Sequence, residues 1–506
     1  MRQILFNLSL LTLSSGFALD RNDLIKLLGT SENPLKTCDE VVEKLPEEHQ
    51  KNYIRVYDSR AEFKSDCSDK EKSPVSPKFP RIITFGTNAN LVISYRGNPA
   101  HAESFNNLQF IEFTEKPIPK WDFYEVKFPV EYNKEGKPKI AHNSNSCLGC
   151  HGNPPRPLLD AYFLWPGMIG SEHDHVDNYG PLNKKKISKE QEASDEFFER
   201  QSKPKRYGKL SRDEMKSIDA LALGAGPQDL KNLPQYSIGK KERLSTYTTM
   251  AYQQLAKVLA YQIASELNQT PYRYALVGTI GCFIEGTYPH YNLLHATSDF
   301  FPSADKDEKK KLDEEYEKVW KNSVEANKKS VQANIERHKK TLKCWFDSDK
   351  LTDPRVIEMD NANFIQWEDL KDGSYSGPRS GLEPIARLRY LLEKVGVKDL
   401  KLTFDKEESD YLNSASNAFW YTLERELALR LFTEKEDKNL RDKYLNAKPG
   451  LYSTQFNDEK DQVAVRKALC LDLQKKSVET LKAAPPPAES KKEKPVRYDF
   501  RQMQTH

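Results

Sequence analysis

The fold of this chain is decided by the stretch Arg81-Ile82-Ile83-Thr84-Phe85-Gly86-Thr87-Asn88-Ala89-Asn90-Leu91-Val92-Ile93-Ser94-Tyr95. Its two ends are rich in β-branched and aromatic residues, a composition typical of strands. The segment Gly86-Thr87-Asn88-Ala89 between them has the small and polar residues of a hairpin turn. The stretch therefore predicts two adjacent antiparallel strands.

Two further runs extend this pattern downstream, at residues 108–114 and 121–130. In the second run, apolar residues alternate with the charged Glu125 and Lys127. Because the side chains of a strand point alternately to opposite faces, this alternation predicts one buried face. We therefore expect a four-stranded antiparallel sheet, followed by a hydrophilic loop over residues 131–146.

The charge balance limits the classes of function. The chain of 506 residues carries 78 basic and 75 acidic side chains, a net charge of +3. Nucleic-acid-binding domains are usually strongly basic, so we expect no nucleic-acid partner. Charged residues make up 30% of the chain and hydrophobic residues 37%, which predicts folded domains with a heavily solvated surface.

The N-terminus has the features of a secretory signal peptide over residues 1–19. Arg2 supplies the positive start, residues 4–13 are mainly apolar, and small residues precede a cleavage point after Ala18. The alternative is a buried N-terminal helix. Later apolar runs have about ten residues and are too short to span a bilayer. We therefore expect an exported chain with no transmembrane segment in its mature form.

From residue 186 onward, the apolar residues recur with the spacing typical of α-helices. The clearest apolar stripe on one helix face consists of Tyr252, Leu255, Leu259, Ile263 and Leu267. Residues 303–343 are dense in Lys and Glu, which favours a helix with a solvated face over a polyanion-binding surface. The expected fold class is therefore α+β. Its segments are a helical lead-in (20–75), a small antiparallel sheet domain (76–185), a large, mostly α-helical region (186–482) and a disordered tail rich in Pro and Lys (483–506).

One short motif carries chemistry, Cys147-Leu148-Gly149-Cys150-His151-Gly152. Its Cys-x-x-Cys-His spacing is the attachment pattern of c-type haem. Two thiols at this spacing can form thioether bonds to the two vinyl groups of one porphyrin, and the adjacent imidazole is then a good axial ligand for the iron. The alternatives are a redox pair or half of a zinc site. The chain has no second Cys-x-x-Cys to complete a zinc site, and the prolines at 154, 155 and 157 stop any long helix.

At this motif the chain resembles the c-type cytochromes. The resemblance covers the motif and its flanks, and it implies one covalent haem c. Cys147 and Cys150 then form the thioethers, and His151 is the proximal ligand. Because haem c is assembled on the outer side of the bacterial inner membrane, the resemblance also implies a periplasmic protein. The sheet domain would then lead into a haem c loop.

A second resemblance covers roughly residues 80–155. The order of sheet, Tyr95-Arg96-Gly97-Asn98-Pro99-Ala100, Phe128-Pro129-Val130 and then the Cys147–Gly152 motif is similar to haem-c-binding PAS-type sensor domains of bacteria. This family implies a different function, a sensor in which ligand exchange at the iron is the signal. The membrane anchors and signalling output domains usual in that family are absent from this sequence.

The loop after the motif contains the further candidate site residues. Arg156 is a natural partner for the haem propionates, because a guanidinium group pairs well with carboxylates, with an ordinary surface charge as the alternative. Trp165 is a candidate haem neighbour, with ordinary core packing as the alternative. Met168 is the first candidate for the sixth iron ligand, since Pro166-Gly167 before it can turn the chain back over the haem. The other candidates are His173, His175 and an open or more distant position. Around Asp174, these two histidines also form a possible metal site, with a plain loop as the alternative.

The five remaining cysteines would lie in an oxidising compartment, where disulfides form. We expect Cys38 and Cys67 to pair, because they belong to one short segment. One of Cys282, Cys344 and Cys470 is then left over, and the sequence does not say which. The alternative is five buried free thiols.

The function that these patterns favour is electron transfer by an exported single-haem cytochrome with a redox partner protein. About 350 residues follow the haem region, more than a haem domain needs, so we interpret the helical region as a partner- or substrate-binding module. The alternatives are a haem-based redox or gas sensor, a haem enzyme such as a peroxidase, and a secreted structural protein. No serine-elbow, zinc-protease or phosphate-loop motif is present in the sequence.

Overall fold

The computed structural model describes about half of the chain. The described residues are 19–46, 49, 53–57, 75–76, 78–86, 89–95, 107–151, 153–157, 168–169, 242–267, 270–282, 297–302, 306–322, 325, 388, 390–392, 417–445 and 459–484. All but the last residue of the predicted signal peptide and all but two residues of the predicted tail lie outside them. So do Cys67, Cys344, Trp165, His173 and His175.

An antiparallel sheet forms the centre of the fold. After a short ribbon of β1 (Gly29–Thr30) and β2 (Asn33–Pro34), the chain builds seven paired strands in the spatial order β8-β7-β6-β5-β4-β3-β9. These strands are β3 (Tyr53–Val56), β4 (Arg81–Phe85), β5 (Leu91–Tyr95), β6 (Asn107–Thr114), β7 (Lys120–Lys127), β8 (Ala141–His142) and β9 (Met168–Ile169). All neighbouring strands are antiparallel.

The four predicted strands are the central β4 to β7, so the α+β class and the antiparallel sheet are confirmed. The expected total of four strands was too low. Two of the three additional strands have only two residues and the third has four, too few for an alternation to be recognised. Strand β3 lies in the lead-in that we expected to be helical. Strand β7 also differs from expectation, because both of its faces carry buried side chains, Phe123 on one and Tyr124 on the other.

The N-terminal segment covers one face of the sheet with two short helices. Helix α1 (Arg21–Leu27) is capped by Asp20, whose carboxylate accepts from the Asp23 amide at 2.8 Å. Helix α2 (Cys38–Val42) begins with a Thr37/Glu40 capping box. The buried side chains of this segment share one core with side chains of the sheet. The segment contributes Leu24, Leu28, Cys38, Val41 and Val42, and the sheet contributes Ile82, Ile93, Leu108, Phe110 and Val126.

The helical region covers the opposite face. It contains α4 (Glu242–Glu266), α5 (Arg273–Gly281), α6 (Asn417–Leu431), α7 (Lys438–Leu445) and α8 (Glu459–Ala483), numbered after α3 (Asn145–His151) in the sheet domain. A second core joins these helices to the sheet through Val56, Phe85, Val92, Leu259, Ile263, Leu276, Leu427 and Leu473. Trp121 on β7 donates to Gln254 on α4 at 3.1 Å in a buried hydrogen bond. The sheet is therefore a central layer between two helical layers.

The helical predictions agree with the described residues. The stripe at Leu255, Leu259, Ile263 and Leu267 packs on the sheet core, and residues 306–322 form a helix with buried Tyr316 and Trp320. Within the described residues, no helix combines the length and apolar composition that a bilayer span requires. The predicted segment boundaries at 75/76 and 185/186 remain predictions.

A disulfide joins two helices of the C-terminal layer. Cys282, at the end of α5, is bonded to Cys470 on α8, with Cα atoms 5.7 Å apart and a sequence separation of 188. This bond answers the open question of which pair forms among the three downstream cysteines. Cys38 is buried in the N-terminal core, and its predicted bond to Cys67 stays a prediction because Cys67 lies outside the described residues.

Candidate functional site

The site begins at the turn that connects the sheet edge to the Cys-x-x-Cys-His segment. After β8 the backbone at Asn143 has a φ of 43°, a left-handed conformation that asparagine tolerates better than most residues. Asn143 donates its backbone N–H to the Phe123 carbonyl at 2.8 Å, and its Oδ1 accepts from the Phe123 amide at 2.8 Å. The turn is therefore fixed to strand β7 by two hydrogen bonds to one residue.

Helix α3 (Asn145–His151) starts directly after this turn and contains the whole Cys-x-x-Cys-His motif. The Leu148 amide donates to the Ser144 carbonyl at 2.9 Å and closes the first helical turn. Positions 147, 150 and 151 are three and four residues apart, the separations that bring residues to one side of a helix. The helix ends at His151 shortly before Pro154, as the prolines predict.

Cys147 faces the interior on this helix. Its side chain is 8% exposed and belongs to an apolar cluster with Phe113, Trp121, Phe123 and Val258. The Ser144 hydroxyl donates to its sulfur at 3.3 Å. A thioether bond at Cys147 would therefore lie against aromatic side chains of strands β6 and β7.

His151 is held in a defined orientation by the loop that follows. Its Nδ1 lies 2.8 Å from the Arg156 carbonyl, and the Arg156 amide donates to the His151 carbonyl at 3.1 Å. Because a carbonyl only accepts, Nδ1 must carry the proton, and in the neutral ring Nε2 then has a free lone pair. This is the usual arrangement of a metal-binding histidine, whose second nitrogen donates to a carbonyl or carboxylate.

The surroundings of His151 favour its neutral form. Burial is the main cause that lowers the pKa of the imidazole, and the positive charges of Arg81 and Arg156 lower it further against the opposing effect of the Arg156 carbonyl. The ring also packs on Phe123, with ring centroids 4.3 Å apart. A neutral imidazole is the form that binds a metal, so the site keeps His151 ready to act as a ligand.

A buried carboxylate supports the turn from the other side of β7. Asp122 is 6% exposed and accepts from Asn143 Nδ2 at 3.1 Å, lies 3.0 Å from His142 Nε2 and pairs with Lys120 at 2.9 Å. Burial alone would raise the pKa of Asp122, but the hydrogen bonds from Lys120 and His142 and the charge of Lys120 outweigh it and hold the pKa below its ordinary value. Asp122 thus remains ionised and helps to fix Asn143.

The structure brings together some of the predicted site residues. Cys147, Cys150 and His151 lie on one helix, and Arg156 lies in the loop that accepts the His151 hydrogen bond. Met168 is the exception, because its strand β9 pairs with β3 at the opposite edge of the sheet from β8. Five strand spacings separate β7 from β9, roughly 24 Å along a flat sheet. The sixth-ligand role of Met168 stays a prediction, to be judged against this separation.

The residues present fit a covalently attached haem. Two cysteines one helical turn apart precede a histidine whose Nδ1 is already bonded, and apolar and aromatic side chains line the helix on its sheet side. Haem iron needs one proximal imidazole from the protein, which His151 can supply. In the part of the chain that the structure describes, no group of three or more His, Cys, Asp or Glu side chains is arranged to hold a metal ion.

Three supporting residues were not singled out from the sequence. Asn143 sets the turn, Phe123 packs on His151, and Arg81 acts on His151 electrostatically from strand β4. Asparagine just before a helix was a local signal for the turn. Phe123 and Arg81 gave no such signal, because their nearness to His151 depends on tertiary packing.

The comparisons with known proteins leave the site as the basis for assigning a function. The sequence matches no protein-family model, and it has no significant match among curated proteins or solved structures.

Proposed function

We propose that this chain is an exported c-type cytochrome that transfers electrons through one covalent haem. In this proposal Cys147 and Cys150 form the thioethers and His151 is the proximal ligand. The observation that carries the proposal is the hydrogen bond from His151 Nδ1 to the Arg156 carbonyl, 2.8 Å long, which directs the free lone pair to Nε2. The bound haem would supply the one-electron chemistry, and the protein would set its potential through axial ligation, burial and nearby charge.

The burial of Cys147 supports an electron carrier. The thioether edge would lie in the apolar cluster with Trp121, Phe123 and Val258, where a low effective dielectric strengthens the influence of nearby charges on the iron. Arg81 and Arg156 are two such charges, since both act on His151. Burial and charge are the means by which a protein tunes the potential of a haem.

The disulfide supports export. Bonds such as Cys282–Cys470 persist in oxidising compartments and are rare in the cytosol of most organisms. The periplasm, where haem c is attached, is such a compartment. The proposal therefore places the mature chain there, with a redox partner protein that docks near the haem or on the helical region.

The role of His151 is tested by comparing two histidine variants of the exported protein. We expect His151→Ala to abolish or strongly shift the haem absorption bands, because the iron loses its proximal ligand. His142→Ala is the matched control: His142 is also close to β7 but bonds to Asp122, so its spectrum should equal that of the parent. An unchanged spectrum in His151→Ala would show that His151 is not a ligand of the iron.

Electron transfer itself is tested by a redox titration of the parent protein. A reversible one-electron transition, with electron exchange to a soluble redox protein, is the expected result. A haem that binds tightly but cannot be reduced and reoxidised reversibly would contradict the carrier function.

A haem-based sensor is the second candidate, and one observation favours it. The His151 ring packs directly on Phe123, a side chain of the central sheet, so that a movement of the proximal ligand would reach β7. Carbon monoxide distinguishes the two functions. Binding of CO to the reduced parent protein indicates an open sixth position and favours the sensor or an enzyme, whereas a filled position favours the carrier.

A further inference from the structure

The apolar cluster around Cys147 is built from two parts of the chain. Phe113, Trp121 and Phe123 come from the sheet, whereas Val258 lies on helix α4 in the helical region. Cys147 is 8% exposed and Val258 is 7% exposed, so both side chains are buried in this cluster. The helical region is therefore present where the first thioether would form.

Polar contacts hold α4 in a defined position against the sheet. Oε1 of Gln254 accepts a hydrogen bond from the Trp121 indole, and Nε2 of the same amide donates to the Ala89 carbonyl at 3.1 Å. The orientation of this amide follows from chemistry, because an indole N–H only donates and a carbonyl only accepts. A salt bridge of 3.0 Å joins Lys257 to Glu115, just after β6. These contacts lie in the same part of α4 that contributes to the cluster.

Helix α4 also packs into the core of the helical layer. Leu259 and Ile263 belong to the large core that includes Leu427 on α6. Leu255 and Val258 are three residues apart, a separation that brings them to one side of the helix. Leu255 packs against both the large core and the cluster around the motif. Helix α4 thus connects this cluster to the interior of the helical layer.

We propose that α4 forms one wall of the haem site, with Val258 in contact with the haem edge that is bonded to Cys147. The inference rests on the proposed function, because it requires a covalent haem. It gives part of the helical region a role in the haem site itself, in addition to the predicted binding of a partner. An apolar wall excludes water from this edge, and less polar surroundings disfavour the oxidised haem, which carries one more positive charge. The wall should therefore raise the midpoint potential.

Nuclear magnetic resonance of the valine methyl groups tests the contact in the exported, haem-loaded protein. Oxidation changes the magnetism of the haem iron, so methyl groups close to the haem should shift between the reduced and the oxidised state. We expect a large shift for Val258, whose signals are identified by their loss in Val258→Ile. Val277 is the internal reference, because it is fully buried on α5 but lies outside the cluster of Cys147.

The midpoint potential tests the effect of the wall on the haem. Val258→Thr keeps the shape of the side chain and adds a hydroxyl group, so it should favour the oxidised form by about two- to fivefold in the equilibrium with a fixed mediator. Val277→Thr is the matched control and should keep the parent potential. Val258→Ala, which opens space for water at the same position, should change the potential in the same direction. It replaces Val258→Thr in the test if that variant does not fold.

The outcomes separate this inference from the proposed function. If the haem is covalently bound but the Val258 methyl signals shift no more than those of Val277, the inference is wrong while the proposed function stands. A parent potential in the folded Val258 variants would contradict the effect of α4 on the haem. A parent protein without covalent haem would overturn both the inference and the proposed function.

Discussion

At the scale of single residues, His49 shows how strongly the N-terminal core disfavours charge. Its side chain has 0% exposure and lies 3.4 Å from the Thr84 hydroxyl. Burial lowers the pKa of His49 from 6.5 to about 4. Because the unfolded chain binds the proton more tightly, this contribution to the free energy of unfolding is complete above pH 6.5. It should decrease by about 3 kcal/mol as the pH falls to 4.

Urea unfolding of the parent and of His49→Gln at pH 7, 5.5 and 4 checks this prediction. The variant cannot titrate at this position, so its stability should fall less steeply with decreasing pH than that of the parent. Equal slopes for parent and His49→Gln would show that His49 does not remain neutral in the folded protein.

At the scale of elements, the connection from strand β7 to helix α3 depends on Asn143. Its side chain bonds to the Phe123 amide and to Asp122, and its backbone has a positive φ. Asn143→Gly permits the same backbone conformation and removes only the side-chain bonds. Asn143→Ala removes the bonds and also strains the backbone by about 1 kcal/mol more. We expect losses of about 1–3 kcal/mol for glycine and a larger loss for alanine.

Chemical denaturation of the exported variants measures this difference, and the yield of haem-loaded protein reports on the orientation of α3. The expected order in both measurements is parent, Asn143→Gly, Asn143→Ala. A glycine variant that is less stable than the alanine variant would show that the left-handed conformation at position 143 is not important.

At the scale of the whole molecule, the Cys282–Cys470 bond joins helices α5 and α8, which are far apart in the sequence. It closes a loop of 188 residues, and crosslinks of long loops restrict the unfolded chain most. The double variant Cys282→Ala/Cys470→Ala should lose about 2–5 kcal/mol in the free energy of unfolding. Peptide mapping of the unreduced protein should recover the linked peptide. Recovery of both thiols in the free form would contradict the bond.

The whole fold also explains why only part of the structure could be predicted from the sequence. Strands β4 to β7 have a clear composition and alternation, whereas β8 and β9 have two residues each and depend on neighbours for their pairing. The Cys-x-x-Cys-His spacing predicted the chemistry of the site. It did not predict which side chains surround the site. Contacts such as Phe123 with His151, and the pairing of Cys282 with Cys470, join distant parts of the chain. Local patterns carry no information on them.

The central claim, that Cys147 and Cys150 hold haem covalently, is tested most directly by the intact mass of the exported protein after denaturation. The account predicts a mass increase of one haem per chain in the parent. It predicts no increase in Cys147→Ala/Cys150→Ala, and an unchanged increase in Cys38→Ala, in which a buried cysteine outside the motif is replaced. An exported and folded parent chain that carries no haem, in cells with a working maturation system, would contradict the account.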